Sequence, residues 1–234
     1  MPAPLAQAAT PARDTVVLLH GLGLGSWAMR RIEWSLKREG YRVVNLAYRS
    51  RTVPIEELAR EWLPAQLEAR AVPLAAEGPR LHFVTHSMGG IVVRGWLAEH
   101  GPPPSLGRVV MIAPPNHGTT LVERIGTWWL FHLQTGVNGP RLGTGPDSFP
   151  RQLGPWTAPA PLGIIAGDRS INPLFSVYTG RPGDGKVTVA STRLDGMSAH
   201  LVLPHSHTWL QYRRSTIDHV RTFLRDGRFV DRAQ

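Results

Sequence analysis

Short apolar runs alternate along this chain with longer stretches in which apolar positions recur every three or four residues. The runs Thr15–Leu19, Tyr41–Ala47, Leu81–Thr85, Val109–Ala113, Leu162–Ala166 and His200–Leu203 are rich in β-branched residues and bounded by turn formers, which predicts strands. VVLL and GIIA are apolar without alternation, as in strands covered on both faces. Helical spacing predicts helices over Ser26–Glu39, over a Pro54-initiated stretch with Ile55, Leu58 and Trp62 on one face, over Met88–His100, and from Ser215 onward. In the last of these Ile217, Val220 and Leu224 form the stripe to be buried, and Ser215 with Asp218 three residues on predicts an N-terminal cap. Pro64 predicts an end or a kink in the second helix. Strand and helix in regular alternation build an α/β domain, here a mostly parallel sheet of about six strands flanked by helices.

The rhythm breaks once, between the fourth and fifth strands. A helix-like apolar piece from Leu121 to Leu133 carries Trp128, Trp129 and Phe131, and Gln134–Pro161 then holds five glycines and six prolines in 28 residues. So long an irregular stretch is usually functional, which predicts a lid-like or binding-loop insertion at about 119–161. The first fourteen residues read as a flexible leader, and 15–234 as one domain. They lack a basic start and an apolar centre, so no intact secretion signal is seen and a cytoplasmic location is the expectation.

Composition narrows the chemistry. The 234 residues contain no cysteine, which excludes a disulfide scaffold, cysteine-ligated metal and a thiol nucleophile. No apolar run approaches the ~20 residues a membrane-spanning helix needs. The formal charge is +9, carried by arginine, since Lys37 and Lys186 are the only lysines. These arginines are scattered, the densest groups being Arg30-Arg31 and Arg213-Arg214, which argues for a solvated surface and against a nucleic-acid partner.

Two segments carry the chemistry. In LHFVTHSMGGIVVRGWL an apolar strand runs into Ser87 and directly out into a helix, the context of a nucleophile elbow. Gly89 and Gly90 meet the spacing after the serine, whereas Thr85 stands where glycine is usual; close packing alone is the competing explanation. In VVLLHGLGLGSW a strand precedes His20-Gly21-Leu22-Gly23, a loop able to fold beside the elbow. The backbone N–H groups of Leu22 and Met88 are then the expected oxyanion hole. An ordinary glycine-rich turn or a phosphate cradle is the alternative there, but GLGLGS lacks the third glycine of a dinucleotide fingerprint.

A serine hydroxyl needs a histidine within hydrogen-bond reach and an acid to orient it. His207 follows the last strand in PHSHTWL, with His205 as its rival, while His20, His86 and His117 come too early. The acid is either Asp184, in GDGKVTVAST before apolar Val187 and Val189, or Asp168 directly after GIIAG; the D-x-x-V pattern favours Asp184. Asp195 in RLDG reads as a turn residue.

HGLG, THSMGG, the D-x-x-V turn, RLDG and the closing histidine element together resemble the α/β-hydrolase superfamily, and within it small bacterial lipases and esterases. The resemblance covers roughly residues 15–118 and 160–225. It implies an α/β-hydrolase fold with catalytic Ser87, Asp184 and His207, and an oxyanion hole at Leu22 and Met88. PPNHGT at Pro114–Thr119 resembles the loop bordering the acyl site in such lipases. The implied activity is hydrolysis of small-molecule or lipid esters through an acyl-enzyme, without metal or organic cofactor, and with contact at lipid surfaces open. Thioesterase, amidase or acyltransferase chemistry on the same triad is the alternative, and a non-catalytic binding protein the third reading. Gly21, Leu24, Trp27, Trp128 and Trp129 are the candidate substrate-binding residues, with Leu22 and Met88 beside them. Equally, these apolar side chains are core.

Overall fold

The computed structural model describes residues 13–122, 133, 135–146, 148–171 and 182–230. Six strands form one sheet in the order β2-β1-β3-β4-β5-β6, every pairing parallel. They are β1 (Thr15–Leu19), β2 (Arg42–Leu46), β3 (Leu81–His86), β4 (Leu106–Ile112), β5 (Leu162–Gly167) and β6 (Ala199–Leu203). Each predicted strand is present, with ends moved by up to three residues.

Period-two alternation divides the core between the two faces of the sheet. On β1, Val17 and Leu19 pack with Phe83, Ile91 and Leu58, whereas Val16 and Leu18 pack with Ile32, Leu36, Val220 and Phe223. The first face is covered by a helical stretch across 55–69, here α2, and by α3 (Met88–His100); the second by α1 (Arg30–Arg38) and α4 (Arg214–Asp226). Helix α3 buries Met88 through Leu97 without interruption, so it is a core helix, while α1 buries only Ile32 and Leu36.

Two helix-end expectations are corrected. Pro64 does not end α2, which continues through Leu63–Ala69, but the regular α-helix is interrupted beside it by a π-helical turn at Leu58–Trp62. The wider turn absorbs the missing N–H and the ring of the proline. Ser215 does not cap α4, which starts one residue earlier with Arg213 at its cap position and no side-chain cap bond. Its hydroxyl instead meets His205 Nε2 at 3.0 Å.

The second half of the expected insertion is packed rather than detached. Leu142, Trp156 and Ala160 join the core, and Trp156 Nε1 donates to the Ala160 carbonyl at 2.8 Å. Strand order reverses between β1 and β3, so the loops leaving these strands diverge at the C-terminal sheet edge, where parallel α/β sheets open a crevice.

Candidate active site

Strand β3 ends in His86, and the next residue reverses the chain. Ser87 adopts φ 52° and ψ −123°, a conformation costing a non-glycine residue about 1–3 kcal/mol. Its amide donates to the Ile112 carbonyl at 2.8 Å, and α3 starts immediately after it. The packing around the turn accounts for the sequence motif. A Cβ on Gly89 would lie 2.7 Å from the Leu19 carbonyl oxygen and 2.8 Å from that of His20, both backbone atoms that cannot yield. A Cβ on Gly90 would lie 3.1 Å from Thr85 Oγ1 and 3.2 Å from Met111 Sδ. Thr85 is therefore accommodated because Gly90 leaves room for its hydroxyl, which is buried with no hydrogen-bond partner.

His207 meets Ser87, and Asp184 meets His207. His207 Nε2 lies 3.2 Å from Ser87 Oγ, and His207 Nδ1 lies 2.7 Å from Asp184 Oδ2. All three residues are buried, with exposures of 8% for Ser87, 5% for His207 and 2% for Asp184. Asp184 sits in a tight turn whose own amides hold its carboxylate: Lys186 N–H and Val187 N–H donate to Oδ1 at 2.9 and 2.8 Å. That turn is the physical content of the D-x-x-V pattern. The Asp184 carbonyl also accepts from the His207 amide at 3.1 Å, so acid and histidine are joined through backbone as well as side chain. Gly167, at the end of β5, permits this approach, because a Cβ there would fall 2.3 Å from the His205 carbonyl oxygen and 2.9 Å from Asp184 Cβ.

His86 and His20, which the sequence order sets aside as the base, both pack beside Ser87 and His207. His86 Nε2 donates to the His207 carbonyl at 3.2 Å, while its Nδ1 is buried and unpaired. Burial, and next the neighbouring His207, hold the His86 pKa well below the usual value, so it is neutral. His20 Nδ1 donates to the Gly21 carbonyl at 2.8 Å, and its Nε2 accepts from the Tyr48 amide at 3.3 Å. Tyr48 stacks on the His20 ring at 4.1 Å and donates its hydroxyl to the His20 carbonyl at 2.5 Å. Gly21 then passes so close to the elbow that a Cβ would lie 3.1 Å from Ser87 Cβ. Gly23 N–H donates to Ser50 Oγ at 3.0 Å. Ser50 is in turn held by Asn138, which donates Nδ2 to the Ser50 and Val53 carbonyls at 2.8 and 2.7 Å and accepts the Ile55 amide at 2.8 Å. No sequence pattern marks Ser50 or Asn138, since their roles arise from contacts 27 and 88 residues apart.

The remaining candidates fall elsewhere. Asp168 is exposed and pairs with Arg169 at 3.7 Å, and His205 turns toward Ser215, so neither rival joins Ser87. Asp195 sits in an exposed turn, its carbonyl accepting the Trp156 amide at 2.8 Å. The Met88 side chain is fully buried in the core and Leu22 packs against it, whereas Leu24 is half-buried and Trp27 is 57% exposed. Trp128 and Trp129 lie outside the described residues. In the Pro114–Thr119 segment His117 is exposed and Asn116 is buried, accepting Arg94 Nη1 at 3.0 Å and donating to the Thr192 carbonyl at 2.8 Å. Among the described residues there is no cluster of three metal-ligating side chains, and no helix is long and apolar enough to cross a membrane.

Solved structures with this architecture include the lipase BlEst2 of Bacillus licheniformis. Its mature form matches with a TM-score of 0.64 at 19% identity, over 93% of both chains. Its propeptide form matches with a TM-score of 0.68 at 18% identity; that match takes in 97% of the present chain but about half, 54%, of the longer lipase chain. The metagenomic carboxyl esterase MGS0156 matches with a TM-score of 0.63 at 20% identity, over 88% of this chain and 68% of the other. No curated protein sequence matches this one. At such identities the structural likeness speaks for the fold, and membership rests on the sequence itself: residues 16–230 match the family model of the alpha/beta hydrolase family, and the chain belongs to that family.

Proposed function

We propose that the protein hydrolyses carboxylic esters, with Ser87 as nucleophile, His207 as general base and acid, and Asp184 as the carboxylate that orients His207. The observation that carries this reading is the unbroken line from Ser87 Oγ through His207 to Asp184, at 3.2 and 2.7 Å, mounted on a serine of positive φ between strand and helix. His207 Nδ1–H donates to Asp184, which leaves Nε2 as the acceptor for the serine proton. Asp184 is already bound by two backbone amides, so its charge is compensated without cost to its hold on the imidazole.

In the proposed cycle Ser87 Oγ attacks the ester carbonyl as its proton passes to His207 Nε2. The amides of Leu22 and Met88 bind the oxyanion, the Leu22 loop being drawn against Ser87 by Gly21. Imidazolium His207 then protonates the leaving alcohol, and water, deprotonated by the same nitrogen, releases the acid. Half-buried Leu22 and Leu24 beside the elbow favour an apolar acyl group. The likeness in fold to a lipase and a carboxyl esterase agrees with that substrate class.

The test is a series of p-nitrophenyl esters from acetate to palmitate, offered as monomers and as emulsions. Cleavage is expected, with Ser87→Ala lowering kcat by at least about 10³. Absence of cleavage across the series, or an unimpaired Ser87→Ala, would overturn the proposal.

A further inference from the structure

The outer side of α1 carries residues that its amphipathic logic does not explain. Ile32 and Leu36 face the sheet, yet Trp34 is 63% exposed on the opposite side, and Trp27, two turns earlier, is 57% exposed. Trp209, two residues past His207, is 49% exposed. Large aromatic side chains left in solvent on the polar side of a helix mark an interaction surface.

Contacts between their segments join the three into one region. The 26–29 turn packs against the 210–212 turn, Arg31 Nη1 donates to the Tyr212 carbonyl at 2.8 Å, and the Tyr212 ring lies 5.9 Å from that of Trp209. The indoles are held although exposed. Arg38 lies over Trp34 at 4.4 Å, and Trp27 folds back so that its Cδ1 would be 2.9 Å from a Cβ on Gly25. Basic groups outnumber acidic ones here: Arg30, Arg31, Lys37, Arg38, Arg213, Arg214 and Arg221 stand against Glu33, Glu39 and Asp218, the last pairing with Arg214 at 3.9 Å. Lys37 already neutralises Glu33 at 2.6 Å.

We infer that this face docks on an anionic lipid bilayer, with Trp27, Trp34 and Trp209 entering the interface and the surrounding arginines meeting lipid phosphates. Indole, an apolar body with a polar N–H, suits the headgroup level, and basic residues around apolar anchors are the signature of interfacial binding. A second copy of the chain fits poorly, because it would bring two surfaces of the same charge together. Trp27 follows the Leu22 loop and Trp209 follows His207, so docking would hold the proposed site beside the membrane. Only that use rests on the ester-hydrolase reading; the docking does not.

The experiment uses the full chain carrying Ser87→Ala, so that binding is read without turnover. Sedimentation with phosphatidylglycerol–phosphatidylcholine vesicles should show binding that is absent with phosphatidylcholine alone, is weakened by raised salt, and shifts indole emission to the blue. The double variant Trp34→Ser/Arg38→Gln, altering only exposed side chains, should lose at least about fivefold in vesicle affinity. On the otherwise wild-type chain it should leave soluble-ester hydrolysis unchanged. Equal vesicle binding by the double variant overturns the proposal, as does no binding to anionic vesicles. So does concentration-dependent dimerisation abolished by Trp34→Ser, or a preference for single-stranded oligonucleotide over vesicles. Loss of ester cleavage with vesicle binding intact would sink the hydrolase reading alone.

Discussion

The Gly23 amide donates to Ser50 Oγ at 3.0 Å, tying the loop after β1 to the loop after β2. Asn138 secures the far side of that tie by binding the Ser50 carbonyl. Under the proposed mechanism the Leu22 amide must already be aimed when charge develops on the substrate oxygen, so the hold on its neighbour Gly23 bears directly on the rate. Ser50→Ala should lower kcat by about 10- to 100-fold with KM little changed. Binding of a phosphonate or boronate transition-state analogue should weaken in parallel. A loss confined to KM would assign Ser50 to substrate binding instead.

The choice between two aspartates is sharp. Asp184 reaches His207 at 2.7 Å from a buried turn, and Asp168 faces solvent beside Arg169. Asp184→Asn keeps the shape but offers His207 the wrong hydrogen-bond partner, and should cost about 10⁴ in kcat. Asp168→Asn should stay within about twofold of wild type, since it alters only an exposed ion pair. Steady-state kinetics on one soluble ester compare both, and a large loss at Asp168 would reverse the assignment.

What was legible in the chain follows from how local each determinant is. The strands, the elbow around Ser87 and the Asp184 turn are written in five to ten neighbouring residues, as β-branched runs, as a serine followed by two glycines between strand and helix, and as a carboxylate that binds the amides two and three residues on. Ser50, Asn138 and Gly167 were not legible: each acts on a partner brought near only by the completed sheet. Ser215 misled for a related reason, since its capping pattern is local but its hydroxyl is claimed by His205 across the turn. Chain order sets His20 and His86 apart from His207, but it carries no information about how they pack against Tyr48 and His207.

Thr85 and Gly90 should behave as a coupled pair. Gly90→Ala alone places a methyl 3.1 Å from Thr85 Oγ1 and 3.2 Å from Met111 Sδ, and should destabilise the fold by about 1–3 kcal/mol. Adding Thr85→Gly removes the first of these contacts, so the double variant should recover part of that loss. A coupling energy of about 0.5 kcal/mol or more in a double-mutant cycle of chemical denaturation is expected, and strict additivity would show that Thr85 does not depend on the Gly90 space.

Four histidines give the protein an acid-sensitive stability. His20, His82, His86 and His200 all have pKa values pushed down, in each case chiefly by burial, His200 to about 4. Each is neutral in the fold, and in the unfolded chain each regains the ordinary histidine pKa near 6.5. Below that value the unfolded state binds more protons than the folded one, so their contribution is complete above about pH 6.5 and falls as pH drops toward the folded values. His200, accepting from or donating to Thr192 Oγ1 at 2.9 Å, spans the window from about 6.5 to about 4. Thermal unfolding should therefore shift down by at least about 4 °C between pH 7 and pH 5. Replacing His86 with Gln, which keeps a donor for the His207 carbonyl but cannot take up a proton, should flatten that dependence. A Tm that is level across the window, or a His86→Gln profile parallel to wild type, would show that these imidazoles are not the groups that titrate on unfolding.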